Sequence, residues 1–360
     1  MRTARWRPRT ILTAVLIIIL FACTTEAIPP IPTPAHHPGP PANAPLAVVA
    51  LGDSTISGEG VGDYVQGTNG QNGDWCHRSA NAEINEIHLP GVTKAVNLAC
   101  SGADAADVEL GSAVHYTETS QAARLAVLAR HDRVTAILVG VGANDDPQFA
   151  NTLDACVQAW FDSALNKNGC STDFTGVWQT RVNAMIPKVA AVLHDIRTVM
   201  TGAGYPDGSY QIVLQSYAAP LGPDVAPSLQ NLNGCPLRTS DLQWIRNTGV
   251  TLLDAGLRKA ADQADVRFLD LARAGVGHEA CSDPQNPANE WFTRLTVAWQ
   301  DLKDNAASSH ALQESFHPNA RGHAAFASCL SDFLNTTEAA AACLPDSAGT
   351  LHPAALLGPG

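Results

Sequence analysis

The stretch Leu46-Ala47-Val48-Val49-Ala50-Leu51-Gly52-Asp53-Ser54 decides the fold class. Six apolar residues follow one another without a polar break and stop at a glycine. A run of this length fits a strand buried on both faces, as in a parallel sheet. The same signature recurs at 134–141 (VTAILVGV), 210–216 (YQIVLQS) and 266–271 (VRFLDL), and more weakly at 94–99 (KAVNLA). Helical patterns lie between these runs. Ala122, Leu125, Leu128 and Ala129 share one face of 119–130, and Val182, Met185, Ile186, Val189, Leu193 and Ile196 share one face of 176–200. Thr239-Ser240-Asp241 offers caps for a helix to about Ala264, broken or kinked near Gly249; 319–334 reads as a helix after Pro318. Strands alternating with helices predict a three-layer α/β/α sandwich on a mostly parallel five-stranded sheet. Ligands then bind outside the carboxyl ends of the strands.

The regions flanking this pattern have a different composition. Arg2, Arg5, Arg7 and Arg9 precede the twelve residues ILTAVLIIILFA, the layout of an export signal over 1–22, or to 27 if cleavage follows Ala27. Leu20-Phe21-Ala22-Cys23 resembles a bacterial lipobox, which would make Cys23 a lipidated terminus and an envelope anchor; the two cleavage readings stay open. Residues 23–45 are a proline-rich linker that favours extended polyproline II. The domain spans 46–335, and 336–360 reads as a tail. The chain carries 34 acidic against 22 basic residues, a net charge of −12, so a nucleic-acid partner is not expected. No apolar run reaches the roughly 18 residues that span a bilayer.

Nine cysteines are present. Cys23 lies at the signal boundary, leaving an even set of eight, as expected of disulfides in an oxidising compartment. Eight cysteines permit 105 connectivities. Pairing sequence neighbours, Cys76–Cys100, Cys156–Cys170, Cys235–Cys281 and Cys329–Cys343, is one hypothesis among them.

The residues that carry chemistry stand just past successive strands. Gly52-Asp53-Ser54 follows the first. A serine on a tight strand-to-helix turn projects its hydroxyl, and its backbone N–H is free for an anion. Gly102 follows the second strand in Asn97-Leu98-Ala99-Cys100-Ser101-Gly102. Asn144 follows the third in Gly142-Ala143-Asn144-Asp145. Near the carboxyl terminus, Glu314-Ser315-Phe316-His317-Pro318 holds a histidine before a proline, away from helix geometry. Serine needs a base to become a nucleophile, and neutral histidine is the usual one. Each block alone is an ordinary turn; their common place at strand ends links them. His310, His317 and His323 lack the spacing of a metal site, and no metal or organic cofactor is expected.

In this order the four blocks resemble those of the SGNH hydrolases, the GDSL-type lipases and esterases, over nearly all of 46–335. Trp75-Cys76-His77-Arg78-Ser79 and the run ending at Gly102 resemble the secreted actinobacterial branch that includes Streptomyces lipases. The resemblance implies a flavodoxin-like SGNH hydrolase fold and a serine esterase or lipase. Ser54 would be the nucleophile and His317 the base. The N–H groups of Ser54 and Gly102 and the side chain of Asn144 would form the oxyanion hole. Most members carry Asp three residues before the histidine. Here Glu314 stands there, so its side chain or its own backbone carbonyl would complete the triad. The branch also supports the first three disulfides. The expected partner is an ester or lipid substrate met by a monomer, exported and free or envelope-bound through Cys23. An exported acyltransferase to a sugar or lipid hydroxyl, or a non-catalytic envelope-binding module, are the alternatives. The regions 60–80, 150–175 and 271–310 read as the loops that wall the crevice.

Overall fold

The computed structural model describes residues 39–162, 168–301, 307 and 310–356. The export signal, Cys23 and most of the linker lie outside the described residues. No helix among the described residues is long and apolar enough to cross a membrane.

The five apolar runs are strands. In chain order, with the helices that follow them, they are β1 (Leu46–Gly52) and α1 (Ser54–Ser57), then β2 (Val92–Asn97) and α2 (Ala105–Val108). A small hairpin, β3 (Val114–His115) and β4 (Glu118–Thr119), leads into α3 (Gln121–Leu128) and β5 (Arg133–Gly140). The chain continues through α4 (Phe149–Phe161), α5 (Ser171–Thr175), α6 (Trp178–Gly202), β6 (Gln211–Gln215), α7 (Thr239–Trp244), α8 (Thr251–Ala264) and β7 (Arg267–Asp270). It ends in α9 (Ala320–Leu334), β8 (Ala340–Pro345) and β9 (Leu351–Ala354).

The sheet has seven strands, not five, in the order β2-β1-β5-β6-β7-β8-β9. All neighbours are parallel except β8 and β9, which pair antiparallel. Both added strands come from the stretch read as a tail. Alanines 340–342 and two prolines give that stretch little strand signal by composition. Its partner, the open edge of β7, creates the strand, and Cys329–Cys343 ties β8 to α9. The burial patterns explain the uneven legibility of the rest. Residues 47–52 of β1 are all buried, whereas β2 is a half-exposed edge strand.

Two further local differences have physical causes. The helix expected to break near Gly249 instead runs through a π turn over Ile245–Val250, joining α7 to α8. The Trp178 indole donates to the Gly249 carbonyl at 2.9 Å, and a Cβ at Gly249 would come within 3.3 Å of the Trp244 ring. In the loop expected over 150–175, α4 buries Thr152, Leu153, Cys156 and Ala159, a helical spacing present in the sequence. The disulfides are Cys76–Cys100, Cys156–Cys170, Cys235–Cys281 and Cys329–Cys343.

A half-buried carboxyl on α8 is also sensitive to pH. Asp254 on α8 lies against Asp270 at the end of β7; burial and the like charge push Asp254 up to about 7. The unfolded chain releases this proton near pH 4, whereas the folded chain keeps it to about 7. Stability therefore falls as pH rises through that window. Thermal melts between pH 5 and 8 should show the wild type losing Tm relative to Asp254→Asn, which has no charge to bury. A difference independent of pH would contradict this.

Candidate functional site

Every predicted chemical residue lies at the carboxyl edge of the sheet. Gly52 makes the first turn feasible: at φ 142° a Cβ there would sit 1.9 Å from the Gly140 carbonyl oxygen. The Gln121 side chain pins this glycine, accepting from its N–H at 2.7 Å and donating to its carbonyl at 2.8 Å. Asp53 then caps α1, accepting from the Thr55 N–H at 3.0 Å and the Thr55 hydroxyl at 2.8 Å. Its other oxygen accepts from the Tyr217 hydroxyl, which itself accepts from the Ala143 N–H at 3.2 Å. Burial raises the Asp53 carboxyl above its ordinary range, against the pull of these donors. Asp53 thus shapes the turn and leaves Ser54 as the first helical residue, with its hydroxyl outward.

Ser54 and His317 are brought together from opposite ends of the chain: Ser54 Oγ lies 2.8 Å from His317 Nε2. The close approach needs Gly60, whose φ is 88° and where a Cβ would meet that of His317 at 2.9 Å. The other imidazole nitrogen, Nδ1, faces the backbone carbonyl of Ser315 at 3.2 Å. Neither the side chain nor the carbonyl of Glu314 is the partner of Nδ1. Its carboxylate accepts instead from the Tyr64 hydroxyl at 2.8 Å, and its own carbonyl accepts from the Thr293 hydroxyl and from the His317 N–H, at 3.4 Å. The extra methylene of glutamate carries the charge past the imidazole to a tyrosine 250 residues away in sequence.

Gly102 and Asn144 flank the serine in one cavity of about 350 Å³, which also includes Ser54 and His317. The Asn144 amide donates one N–H to the Ala103 carbonyl at 3.0 Å, joining the loops after β2 and β5. The backbone N–H groups of Ser54 and Gly102 donate to no protein acceptor among the described residues. Beside Asn144, Asp145 accepts from the Ala105 N–H at 3.1 Å, and burial pushes it up to about 7.

A buried polar set lies behind His317. Glu59 accepts from His77 Nδ1 at 2.7 Å and from the Ser101 hydroxyl. The Tyr64 ring stacks on His77 at 4.2 Å, with its hydroxyl 3.1 Å from Glu59. Burial works against the charge of Glu59, but His77 outweighs it and holds the carboxyl below its ordinary range. Only the His77 motif hinted at this set, and only through resemblance. As to metals, the one cluster of donor atoms among the described residues is Cys76, Cys100 and Glu118, whose two sulfurs form a disulfide. His310 stacks on Trp75, and His323 lies buried under Glu83.

Comparison with known proteins agrees with this architecture. The model of the GDSL-like lipase/acylhydrolase family matches residues 50–325. Lipase 2 of Streptomyces coelicolor is 25% identical over 332 residues, covering 91% of this chain and 99% of its own. Among solved structures, phospholipase A1 from Streptomyces albidoflavus is similar in fold, with a TM-score of 0.50 and 23% identity over 77% of this chain and 94% of its own. An extracellular lipase from Streptomyces rimosus gives a TM-score of 0.48 at 20% identity, over 77% of this chain and 94% of its own. The match covers the strand-end blocks and the histidine loop together: the chain belongs to the GDSL-like lipase/acylhydrolase family and is a carboxylic ester hydrolase of the lipase and esterase type.

Proposed function

We propose that the protein is an exported esterase or lipase working through an acyl-enzyme on Ser54, with His317 as base and the Ser315 carbonyl as the group that orients it. The observation that carries this is the 2.8 Å contact between Ser54 Oγ and His317 Nε2, with Nδ1 on a carbonyl. A carbonyl can only accept, so it selects the tautomer with the proton on Nδ1 and leaves Nε2 to take the serine proton.

The steps follow. His317 Nε2 removes the Ser54 proton as Oγ bonds to the ester carbonyl carbon. The N–H groups of Ser54 and Gly102 and the second amide N–H of Asn144 receive the oxyanion. The carbon–alkoxide bond breaks as His317 returns the proton to the leaving oxygen. Water then attacks the acyl-enzyme, with His317 taking its proton and returning it to Ser54 Oγ. A basic and apolar amino terminus supports export, and intact mass of the mature protein separates release after residue 27 from a lipid on Cys23.

Hydrolysis is tested with purified protein on p-nitrophenyl esters of increasing acyl length. Active-site labelling by a fluorophosphonate and turnover of at least one ester are expected; neither would occur on a dead scaffold. Adding an acceptor alcohol and finding transfer in excess of hydrolysis would shift the assignment to acyl transfer. The Glu314 geometry gives a separate prediction. Glu314→Gln keeps an oxygen for the Tyr64 hydroxyl, so kcat should fall by less than about tenfold, within the cost of one altered hydrogen bond. A fall of about 10⁴-fold, as on removal of a triad carboxylate, would place the Glu314 side chain on His317.

A further inference from the structure

The cavity that holds Ser54 and His317 is also lined by two polar side chains with no part in the steps above, Glu83 and Gln215. Glu83 is 1% exposed and Gln215 4%. Around them the cavity is walled by Phe292, Phe316, Phe326 and Leu271. Gln215 stands at the carboxyl end of β6, and Glu83 opens the 3-10 turn Glu83–Glu86. They meet through one hydrogen bond, Gln215 Nε2 to Glu83 Oε1 at 2.6 Å. The Glu83 backbone is fixed from behind, its N–H donating to His323 Nδ1 at 3.3 Å.

The pair is only half satisfied. Gln215 is the one side chain bonded to the Glu83 carboxyl among the described residues, so its second oxygen has no protein partner. Gln215 Oε1 is buried with no partner at all. Burial pushes the Glu83 carboxyl up to about 8, so it holds its proton at neutral pH and can donate an O–H. One spare donor, on Glu83, and one buried unpaired acceptor, on Gln215, thus belong to one bonded pair in the wall of the cavity. Leaving such groups unpaired is costly, and a purely apolar acyl chain would not relieve it. A hydroxyl group both accepts and donates, and answers both atoms at once; a ketone would answer only the acid.

We propose that Glu83 and Gln215 form a subsite for a hydroxyl on the acyl chain, making hydroxyacyl esters the preferred substrates of this cavity. The proposal rests on the ester-hydrolase mechanism at Ser54 and adds its acyl specificity. Phe292, Phe316 and Phe326 hold the hydrocarbon part, and the polar pair reads the oxygen. An acyl group without it leaves both atoms dry.

The test compares ethyl hexanoate with ethyl 3-hydroxyhexanoate and ethyl 6-hydroxyhexanoate, followed by acid release in a pH-stat at pH 7. At least one hydroxy ester should exceed the plain ester by about tenfold or more in kcat/KM, the discrimination one or two satisfied hydrogen bonds provide. In Gln215→Met and in Glu83→Met that ratio should collapse to about one or below, whatever the absolute rates. Wild-type ratios of one or less for both hydroxy esters would overturn the proposal and assign the two atoms to buried water. A preference that survives in both variants would overturn it too. If the wild type hydrolyses none of the three esters and takes no fluorophosphonate, the mechanism at Ser54 fails instead, a result the ratio does not imitate.

Discussion

Ser54→Ala lowers kcat for ester hydrolysis by about 10⁴–10⁶-fold, the range found when a serine nucleophile is removed. It also abolishes labelling by a fluorophosphonate. The fold has no reason to suffer. The side chain that caps α1 belongs to Asp53, and the substitution removes the hydrogen bond between Ser54 Oγ and His317 Nε2 at 2.8 Å. Tm and KM should change little, which separates a chemical defect from a structural one. A p-nitrophenyl ester assay sensitive to about 10⁻⁶ of the wild-type rate suffices to see a fall of this size. A residual rate within tenfold of wild type, or persistent labelling, would remove Ser54 from the reaction.

Asn144→Ala should lower kcat by about 10²–10³-fold, equivalent to about 2.7–4 kcal/mol of transition-state stabilisation. One N–H of its amide is committed to the Ala103 carbonyl at 3.0 Å and the residue lines the cavity, so the other N–H is the one proposed for the oxyanion. An oxyanion donor acts mainly on the transition state, so KM should hold while kcat falls. If Asn144 serves only to tie the loops after β2 and β5 together, the substitution lowers Tm and raises KM with a small change in kcat. The kcat-against-KM split therefore decides between the two roles.

These effects concern residues that a one-dimensional reading could find, and the reason is local. Ser54, Gly102 and Asn144 each stand in the turn after a strand, and the strands before Ser54 and Asn144 are buried. Buried parallel strands announce themselves as unbroken apolar runs such as 46–51 and 134–141. The half-exposed β2 is harder to see for the same reason. Strands β8 and β9 could not be read this way. Their alanine and proline content favours no strand, and pairing with β7 and the bond to Cys329 supply what propensity lacks.

The orientation of Glu314 shows the opposite limit. Its position three residues before His317 is visible in the sequence, but where its carboxylate points depends on Tyr64, which arrives from the other end of the chain. Glu59 and Glu83 likewise look like any acidic residue in a loop. Only the packed structure shows the first held by His77 and Ser101 and the second set into the cavity wall against Gln215. The amino-acid sequence was enough for the alternating parallel-sheet architecture, for the edge of the sheet that carries the site, and for Ser54, Gly102, Asn144 and His317 as its candidate chemical residues. The sheet and its edge follow from hydrophobic runs, Ser54, Gly102 and Asn144 from the turns after them, and His317 from its place before Pro318 and the family resemblance. Packing in three dimensions was needed for the seven-stranded extent of the sheet, the carbonyl of Ser315 as the partner of His317, and the polar pair in the cavity. These depend on contacts between residues far apart in the chain, or on a side chain drawn away by one, and no local pattern encodes them.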